Sequence, residues 1–190
     1  MFQLKAPSPS GWLDIVLSDF DAFLLDHASC EKKASSMAMT FISHYPDRTR
    51  LVRTMLDLSI EELNHFKEVV KIILSRGRLL GPDQKDPYVI ALFKTTRKGS
   101  DDYFMDRLIL ASIIEARGHE RFGLIADALE PGPLKTFYRA ITQSEGRHLD
   151  LFITLACHYF AENKVMDRTR TLLEIEADIL LDLPFRAALH

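Results

Sequence analysis

Residues 141–152 read ITQSEGRHLDLF, and their spacing is that of a helix with one buried face. Ile141 and Phe152 belong to an apolar stripe that continues to Leu155, with steps of three and four residues. Glu145 and His148 occupy the same stripe, where a helix normally buries apolar side chains. The stretch therefore predicts a helix that faces a core with a carboxylate and an imidazole on its buried side.

Three other segments show the same period, and together the four segments predict the helices of a bundle. The predicted helices cover Phe20–Tyr45, Leu51–Ile72, Phe104–Leu129 and Leu134–Tyr159. Pro46 and Gly77 supply stop signals for the first two, and Ser100 or Asp101 is the expected N-cap of the third. No segment predicts a β-strand with comparable strength.

The connections complete the predicted topology. The segment 77–99, with a short helical piece at Tyr88–Thr95, is long enough to travel the length of a bundle, whereas the other connections are tight. Near the C-terminus, apolar residues lie on one side of a further helix and acids on the other; the apolar ones are Leu172, Ile175, Ile179 and Leu183. We expect an all-α four-helix bundle with a long crossover between helices two and three, and a fifth helix packed against it.

Length and composition predict one domain over residues 1–190 of an ordinary globular protein, with 47% hydrophobic and 27% charged residues. The net charge of −3 argues against a general polyanion binder but allows a local basic patch. Cys30 and Cys157 lack metal-type CxxC spacing and are expected to be buried thiols of a reducing compartment. Without an export signal or a span of about 18 apolar residues, we expect a cytoplasmic protein with no membrane segment.

Each of the four stripes carries one glutamate near its middle, and two of these glutamates are followed by histidine three residues later. The six residues are Glu31, Glu62, His65, Glu115, Glu145 and His148. The first two glutamates are 31 residues apart and the second two are 30 apart, so the chain contains the same half-site twice. Two helix pairs related by a pseudo-two-fold axis would explain this repeat.

Four buried carboxylates repel one another too strongly to stay ionised without positive charge among them. Two divalent cations would neutralise them, and the Glu-x-x-His spacing places both ligands on one helical face. The oxygen-rich ligand set suits iron or manganese better than zinc or copper, and we expect two iron ions. Glu31 and Glu115 are the better candidates for terminal ligands, and Glu62 and Glu145 for bridging ones. The alternative for any single motif is a polar core residue with a local partner.

Residues near the stripes are less informative. His27 lies one turn before Glu31 and is expected either to hydrogen-bond to the site or to be a satisfied core histidine. Glu61, His119 and Glu120 lie off the stripes and are expected to be outer partners or solvated groups. Gly146, between two ligands, is a poor helix former and costs about 1 kcal/mol relative to Ala.

The chain also lacks features of several classes of protein that contain such a site. Two isolated cysteines do not make the electron-transfer module of rubrerythrin-like peroxidases, and a ferritin-type ferroxidase centre usually has no symmetric second histidine. The remaining interpretation is a small oxygenase that uses O₂ and an external electron donor, because no dinucleotide-binding glycine pattern is present.

Several stretches resemble the bacterial tRNA hydroxylases of the MiaE family over nearly the whole chain. They are DHASCEKKAS, SIEELNHF, RGRLLGPDQKDPYV, IEARGHERF and SEGRHLDLF. The resemblance implies a ferritin-like fold, the same six iron ligands, and hydroxylation of the isopentenyl group of 2-methylthio-N-isopentenyladenosine next to the anticodon.

The resemblance also implies partners. The anticodon loop of tRNA would be the substrate, a redox partner would supply electrons, and we expect a monomer. Basic residues are then expected around the mouth of the site, where they would position loop phosphates; the candidates are Lys32, Lys33, Arg48, Arg50, Arg53, Lys94, Arg97, Lys98, Arg117 and Arg121. The alternatives are a di-iron hydroxylase or deformylating oxygenase of a small apolar substrate, such as a quinone precursor or a fatty aldehyde, and an iron-binding bundle without oxygenase activity.

Overall fold

The computed structural model describes residues 2–190, and all regular secondary structure in that range is helical. The predicted all-α class is therefore confirmed. The helices are α1 Ser10–Ser18, α2 Phe20–His44, α3 Thr49–Ser75, α4 Pro87–Phe93, α5 Ser100–Ala128, α6 Pro133–His148, α7 Leu151–Tyr159 and α8 Glu162–Asp182.

The ends of α2 and α3 follow from capping and stop residues that can be recognised in the sequence. The side chain of Asp19 accepts a hydrogen bond from the Ala22 amide at 3.1 Å and caps α2, which ends just before Pro46. Gly77 adopts a positive φ of 70° after α3. With this φ, the Gly77 amide donates a hydrogen bond to the Leu74 carbonyl at 3.0 Å. The Arg78 amide donates a second one to the Ile73 carbonyl at 3.1 Å. Both predicted stop signals are confirmed.

Two boundaries in the second half of the chain differ from the prediction. Gly99, with φ of 103°, precedes α5 in the cap position that was assigned to Ser100 or Asp101. The predicted fourth helix is interrupted after His148, and α7 begins at Leu151. At the interruption the carbonyl of Leu149 accepts a hydrogen bond from the Ser112 hydroxyl at 2.7 Å. This long-range contact lies outside what helical periodicity can reveal.

The chain divides into two compact units. The α2–α3 unit contains residues 14–84 and 186–189, and its two long helices pack against each other. The α5–α6 unit contains the residues up to Leu13, residues 85–185 and His190, and in it α5 packs against α4, α6, α7 and α8. The expectation of one domain over the whole chain stays a prediction.

Helix α8 packs against α5 as expected for a fifth long helix, but it buries a different face from the predicted one. Leu172 is buried, whereas Ile175 and Ile179 are only half-buried. Glu176, which the sequence assigned to the outer side, is fully buried. The assumption that every acid of this helix faces solvent was wrong, because Glu176 has a buried cationic partner described below.

Two further sequence expectations concern the cysteines and membrane segments. Cys30 and Cys157 are both free thiols, as expected, but they are half-buried rather than buried. Within the described residues 2–190, no helix is long and apolar enough to cross a membrane.

Candidate metal centre

The α2–α3 unit brings together three of the predicted ligands. Glu31, Glu62 and His65 each offer a ligand atom within 4.8 Å of the others. His65 Nδ1 lies 3.3 Å from Glu62 Oε2 and 3.6 Å from Glu31 Oε2. Both glutamates are buried, and the imidazole is half-buried. We call Glu31, Glu62 and His65 the first half-site.

The electrostatics of the first half-site favour a cation. Burial disfavours the charged imidazole, but the carboxylates of Glu31 and Glu62 outweigh burial and raise the pKa of His65 to about 10. Two buried carboxylates thus hold a proton strongly on their neighbour. The same field would attract a metal ion in place of that proton.

The α5–α6 unit brings together the other three predicted ligands in the same way. Glu115, Glu145 and His148 also offer ligand atoms within 4.8 Å of one another. His148 Nδ1 is 3.4 Å from Glu145 Oε2, and all three residues are buried. We call Glu115, Glu145 and His148 the second half-site. Each half-site therefore combines two carboxylates and one imidazole, as the repeated sequence spacing predicted.

His27 makes the short contact with the first half-site that the sequence left open. Its Nε2 lies 2.6 Å from Glu31 Oε1, and the His27 ring is fully buried. A hydrogen bond of this kind orients a carboxylate and limits its rotation. At the equivalent place before Glu115, α5 has Ala111, so the second half-site has no such histidine.

Arg117 and Arg121 were expected on a basic surface, and that expectation is wrong because both are buried. Arg117 donates from Nε and Nη2 to Glu176 Oε1, at 3.0 and 2.8 Å. The Tyr88 hydroxyl donates to the same oxygen at 2.7 Å. Burial, followed by repulsion from Arg117, lowers the pKa of Arg121 to about 10, which still leaves it charged at neutral pH.

Some of the other basic candidates have partners within the protein. Lys32 pairs with Asp83 at 2.8 Å, and Lys33 donates to the Gln84 carbonyl at 2.7 Å. Arg97 pairs with the buried Asp106. Arg48 is half-buried, with its guanidinium 5.5 Å from the centre of the Tyr45 ring. The exposed members of the predicted set are Arg50, Arg53, Lys94 and Lys98.

The three residues expected to be outer partners or solvated groups are half-buried; they are Glu61, His119 and Glu120. Glu120 pairs with Arg117 and accepts hydrogen bonds from the Ser8 amide and hydroxyl at 2.8 Å. His119 lies 2.9 Å from the Thr142 carbonyl. Sequence reasoning missed the serines that join the helices of each half-site, Ser35 with Ser59 and Ser112 with Leu149. Their spacing of three or four residues from a predicted ligand places them on the same helical faces as the ligands, but it does not reveal their hydrogen-bond partners.

The comparisons with known proteins concern the chain as a whole. The family model described as tRNA-(MS[2]IO[6]A)-hydroxylase (MiaE) matches residues 2–190. The chain belongs to the MiaE family. The fold class predicted from the sequence, an all-α ferritin-like bundle, is confirmed by a solved structure titled "Protein 43 with aldehyde deformylating oxygenase activity from Synechococcus". That structure is 31% identical with a TM-score of 0.91, over 98% of this chain and 93% of its own.

Two curated MiaE relatives carry the name tRNA 2-(methylsulfanyl)-N(6)-isopentenyladenosine(37) hydroxylase. The one from Pseudomonas putida KT2440 is 33% identical over 156 residues, which cover 82% of this chain and 76% of the relative. The one from Salmonella typhimurium LT2 is 32% identical over 163 residues, which cover 85% of this chain but only 59% of the relative. The match thus spans 59% of the length of the Salmonella protein.

Proposed function

We propose that this protein is an O₂-dependent, non-haem di-iron monooxygenase that hydroxylates the isopentenyl group of 2-methylthio-N-isopentenyladenosine next to the anticodon of tRNA. The observation that carries the proposal is the pair of half-sites in a chain that matches the MiaE family model from residue 2 to residue 190. The names of the two curated relatives support the tRNA substrate.

Six side chains are proposed to hold two iron ions: Glu31, Glu62, His65, Glu115, Glu145 and His148. The donor set supports iron, because four carboxylates and two imidazoles offer hard oxygen ligands together with nitrogen ligands of intermediate softness. Two divalent cations would balance the four carboxylate charges. Burial of five of the six residues supports metal binding over solvated charge.

Bound iron would supply the activation of O₂, with one oxygen atom entering the product and the other leaving as water at the cost of two electrons and two protons from an external donor. The chain's own residues orient and insulate the centre. His27 fixes one oxygen of Glu31, and the buried positions of Glu62 and Glu145 keep bulk water from these carboxylates. His65 must give up its proton to act as a ligand, so metal binding displaces that proton.

The modified base would have to leave its stack in the anticodon loop to reach buried ligands. The exposed cations Arg50, Arg53, Lys94 and Lys98 are the candidates for loop phosphates, because phosphate contacts position an RNA without reading its sequence. Arg117 and Arg121 are buried and therefore do not reach loop phosphates. A redox partner, a monomeric state and a cytoplasmic location remain parts of the proposal.

The direct test supplies iron-loaded protein with O₂, a chemical reductant and tRNA that carries 2-methylthio-N-isopentenyladenosine. Nucleoside mass spectrometry should show the gain of one oxygen atom, only when O₂ and reductant are both present. Glu62→Ala should abolish conversion, whereas Glu68→Ala, a matched change at an exposed position of α3, should not. Unchanged nucleoside with wild-type protein, or equal activity of the two variants, would refute the proposal.

A long-chain aldehyde is the informative alternative substrate, because the similar solved structure is titled with aldehyde deformylating oxygenase activity. We expect no conversion of the aldehyde under conditions that convert the tRNA. Conversion of the aldehyde without conversion of tRNA would transfer the proposal to a small apolar substrate.

A further inference from the structure

Each half-site has a hydrogen bond between its two ligand-bearing helices. The two bonds lie at equivalent positions. In the first half-site, Ser35 lies four residues after Glu31 and donates from Oγ to the carbonyl of Ser59 at 2.8 Å. Ser59 lies three residues before Glu62. The bond therefore fixes the register of one ligand-bearing helix against the other, one turn from the ligands.

In the second half-site the same two positions are joined by a different side chain. His119 lies four residues after Glu115, and its Nδ1 is 2.9 Å from the carbonyl of Thr142. Thr142 lies three residues before Glu145. A carbonyl oxygen only accepts, so Nδ1 carries the proton and donates it. His119 thus does in the α5–α6 unit what Ser35 does in the α2–α3 unit.

An imidazole needs more room than a hydroxyl, and Gly146 provides it. A Cβ atom at position 146 would lie 3.3 Å from His119 Cε1 and 3.5 Å from Nδ1. The equivalent residue of the first half-site, one after Glu62, is Leu63, whose side chain is 54% exposed. Leu63 is largely exposed, whereas a side chain at position 146 would press against the His119 ring. This explains a helix-weakening residue between two proposed ligands.

Packing alone does not hold the His119 ring. The ring borders two open cavities of about 370 and 650 Å³, both in the α5–α6 unit. It therefore has room to turn away if its bond to Thr142 is broken. The ring is held by its hydrogen bond to Thr142 and by its close packing against Gly146.

A second bond secures α6 on the other side of its ligands. Ser112 lies three residues before Glu115 and donates to the carbonyl of Leu149 at 2.7 Å, where α6 is interrupted. The equivalent residue before Glu31 is Ala28, which has no donor, and α3 continues without a break. The α6 segment that carries Glu145 and His148 is thus held at both ends by side chains of α5.

We infer that His119 is a positioning residue for Glu145 and His148, that it acts through the Thr142 carbonyl, and that Gly146 leaves room for its ring. The inference rests on the proposed function, because it assigns the second half-site a metal. Residues that orient metal ligands through hydrogen bonds commonly change metal affinity by about 10- to 100-fold when replaced. We expect an effect of that size on the ion bound by the second half-site, and a smaller effect on the other ion.

The experiment is a titration of metal-free protein with Co²⁺. The ligand-field absorption of the bound ions reports the affinity and the spectrum of each ion. Wild type should bind two ions. His119→Leu and Gly146→Ala should weaken the binding of one ion roughly 10- to 100-fold and alter its spectrum, with a smaller change in the other ion. His119→Asn should retain nearly wild-type binding, because an amide nitrogen can donate near the place of Nδ1.

Two further variants separate positioning from general damage. Gly123→Ala adds a Cβ atom 3.7 Å from Thr142 Cγ2, an ordinary contact in the same helix pair, and should leave both ions unaffected. The double variant with His119→Ser and Gly146→Ala recreates the arrangement of the first half-site and should bind the second ion more tightly than Gly146→Ala alone. Nitrogen NMR of the metal-free wild type should show the proton on His119 Nδ1.

The results also distinguish the inference from the function on which it rests. If wild type binds two ions and converts tRNA while His119→Leu and Gly146→Ala do the same, the positioning role is refuted and the proposed function stands. If wild type binds two ions with the predicted variant effects but converts no tRNA, the positioning role stands and the substrate is wrong. A wild type that binds no metal refutes both.

Discussion

Replacing Glu176 by leucine tests the buried ion pair that the sequence did not reveal. Glu176 and Arg117 are both fully buried, and Glu176 Oε1 accepts hydrogen bonds from Arg117 and from Tyr88. Glu176→Leu keeps a similar volume but leaves the Arg117 guanidinium without its buried counter-ion. Removing one partner of a buried pair costs about 3–5 kcal/mol. For a chain of this size each kcal/mol lowers Tm by roughly 2–4 °C, so the expected loss is roughly 6–20 °C.

The double variant with Arg117→Met and Glu176→Leu provides the internal control. Removing both charges leaves neither member of the Arg117–Glu176 pair without its partner, so the double variant should be more stable than Glu176→Leu alone. Glu120 loses its partner in this variant, but its side chain is 25% exposed and water can solvate it. Thermal unfolding of metal-free protein at neutral pH, followed by circular dichroism, gives all the values. A loss below about 1 kcal/mol for Glu176→Leu would refute the reasoning, as would a double variant whose loss equals the sum of the losses of Glu176→Leu and Arg117→Met measured separately.

Two further predictions concern the second charge network and the surface cations. Burial alone would raise the pKa of Asp106, but hydrogen bonds from Arg97 and Arg168, at 2.7 and 2.8 Å, hold it below its usual value. A lowered folded pKa stabilises the protein above the unfolded pKa of about 3.9, and this contribution is lost as pH falls through the folded value. Urea unfolding should therefore show a stability gap between wild type and Asp106→Asn that is constant above about pH 5 and shrinks below about pH 4; a gap independent of pH would contradict this. Arg53→Ala should weaken tRNA binding and reduce the slope of log affinity against log salt by about 1, whereas Arg170→Ala, an exposed arginine of α8, should change neither; equal effects would remove Arg53 from the interface.

The proposed ligands could be predicted from the sequence because each half-site is built on simple helical spacing. Glu62 with His65, and Glu145 with His148, are three residues apart, which fixes their common face before any tertiary contact is known. The stop signals at Pro46 and Gly77 are equally local. Within each unit, the structure brings the ligand-type atoms of its three predicted residues within 4.8 Å of one another.

The errors concern residues whose environment depends on several helices. Helix α5 buries 18 of its 29 residues. It therefore has little solvent-facing surface on which Arg117 and Arg121 could be exposed. The burial of Glu176 follows from Arg117 on another helix, and the break after His148 coincides with a hydrogen bond from Ser112. Periodicity assigns one buried face to each helix and cannot reveal such pairings.

The central claim is that six side chains bind two metal ions, and an anaerobic titration of metal-free protein with ferrous iron tests it most directly. Iron analysis after removal of unbound metal should saturate at two ions per wild-type chain, and Glu145→Ala should lose at least one of them. Saturation at none or at many ions per chain, or an unchanged count of two in Glu145→Ala, would contradict the account.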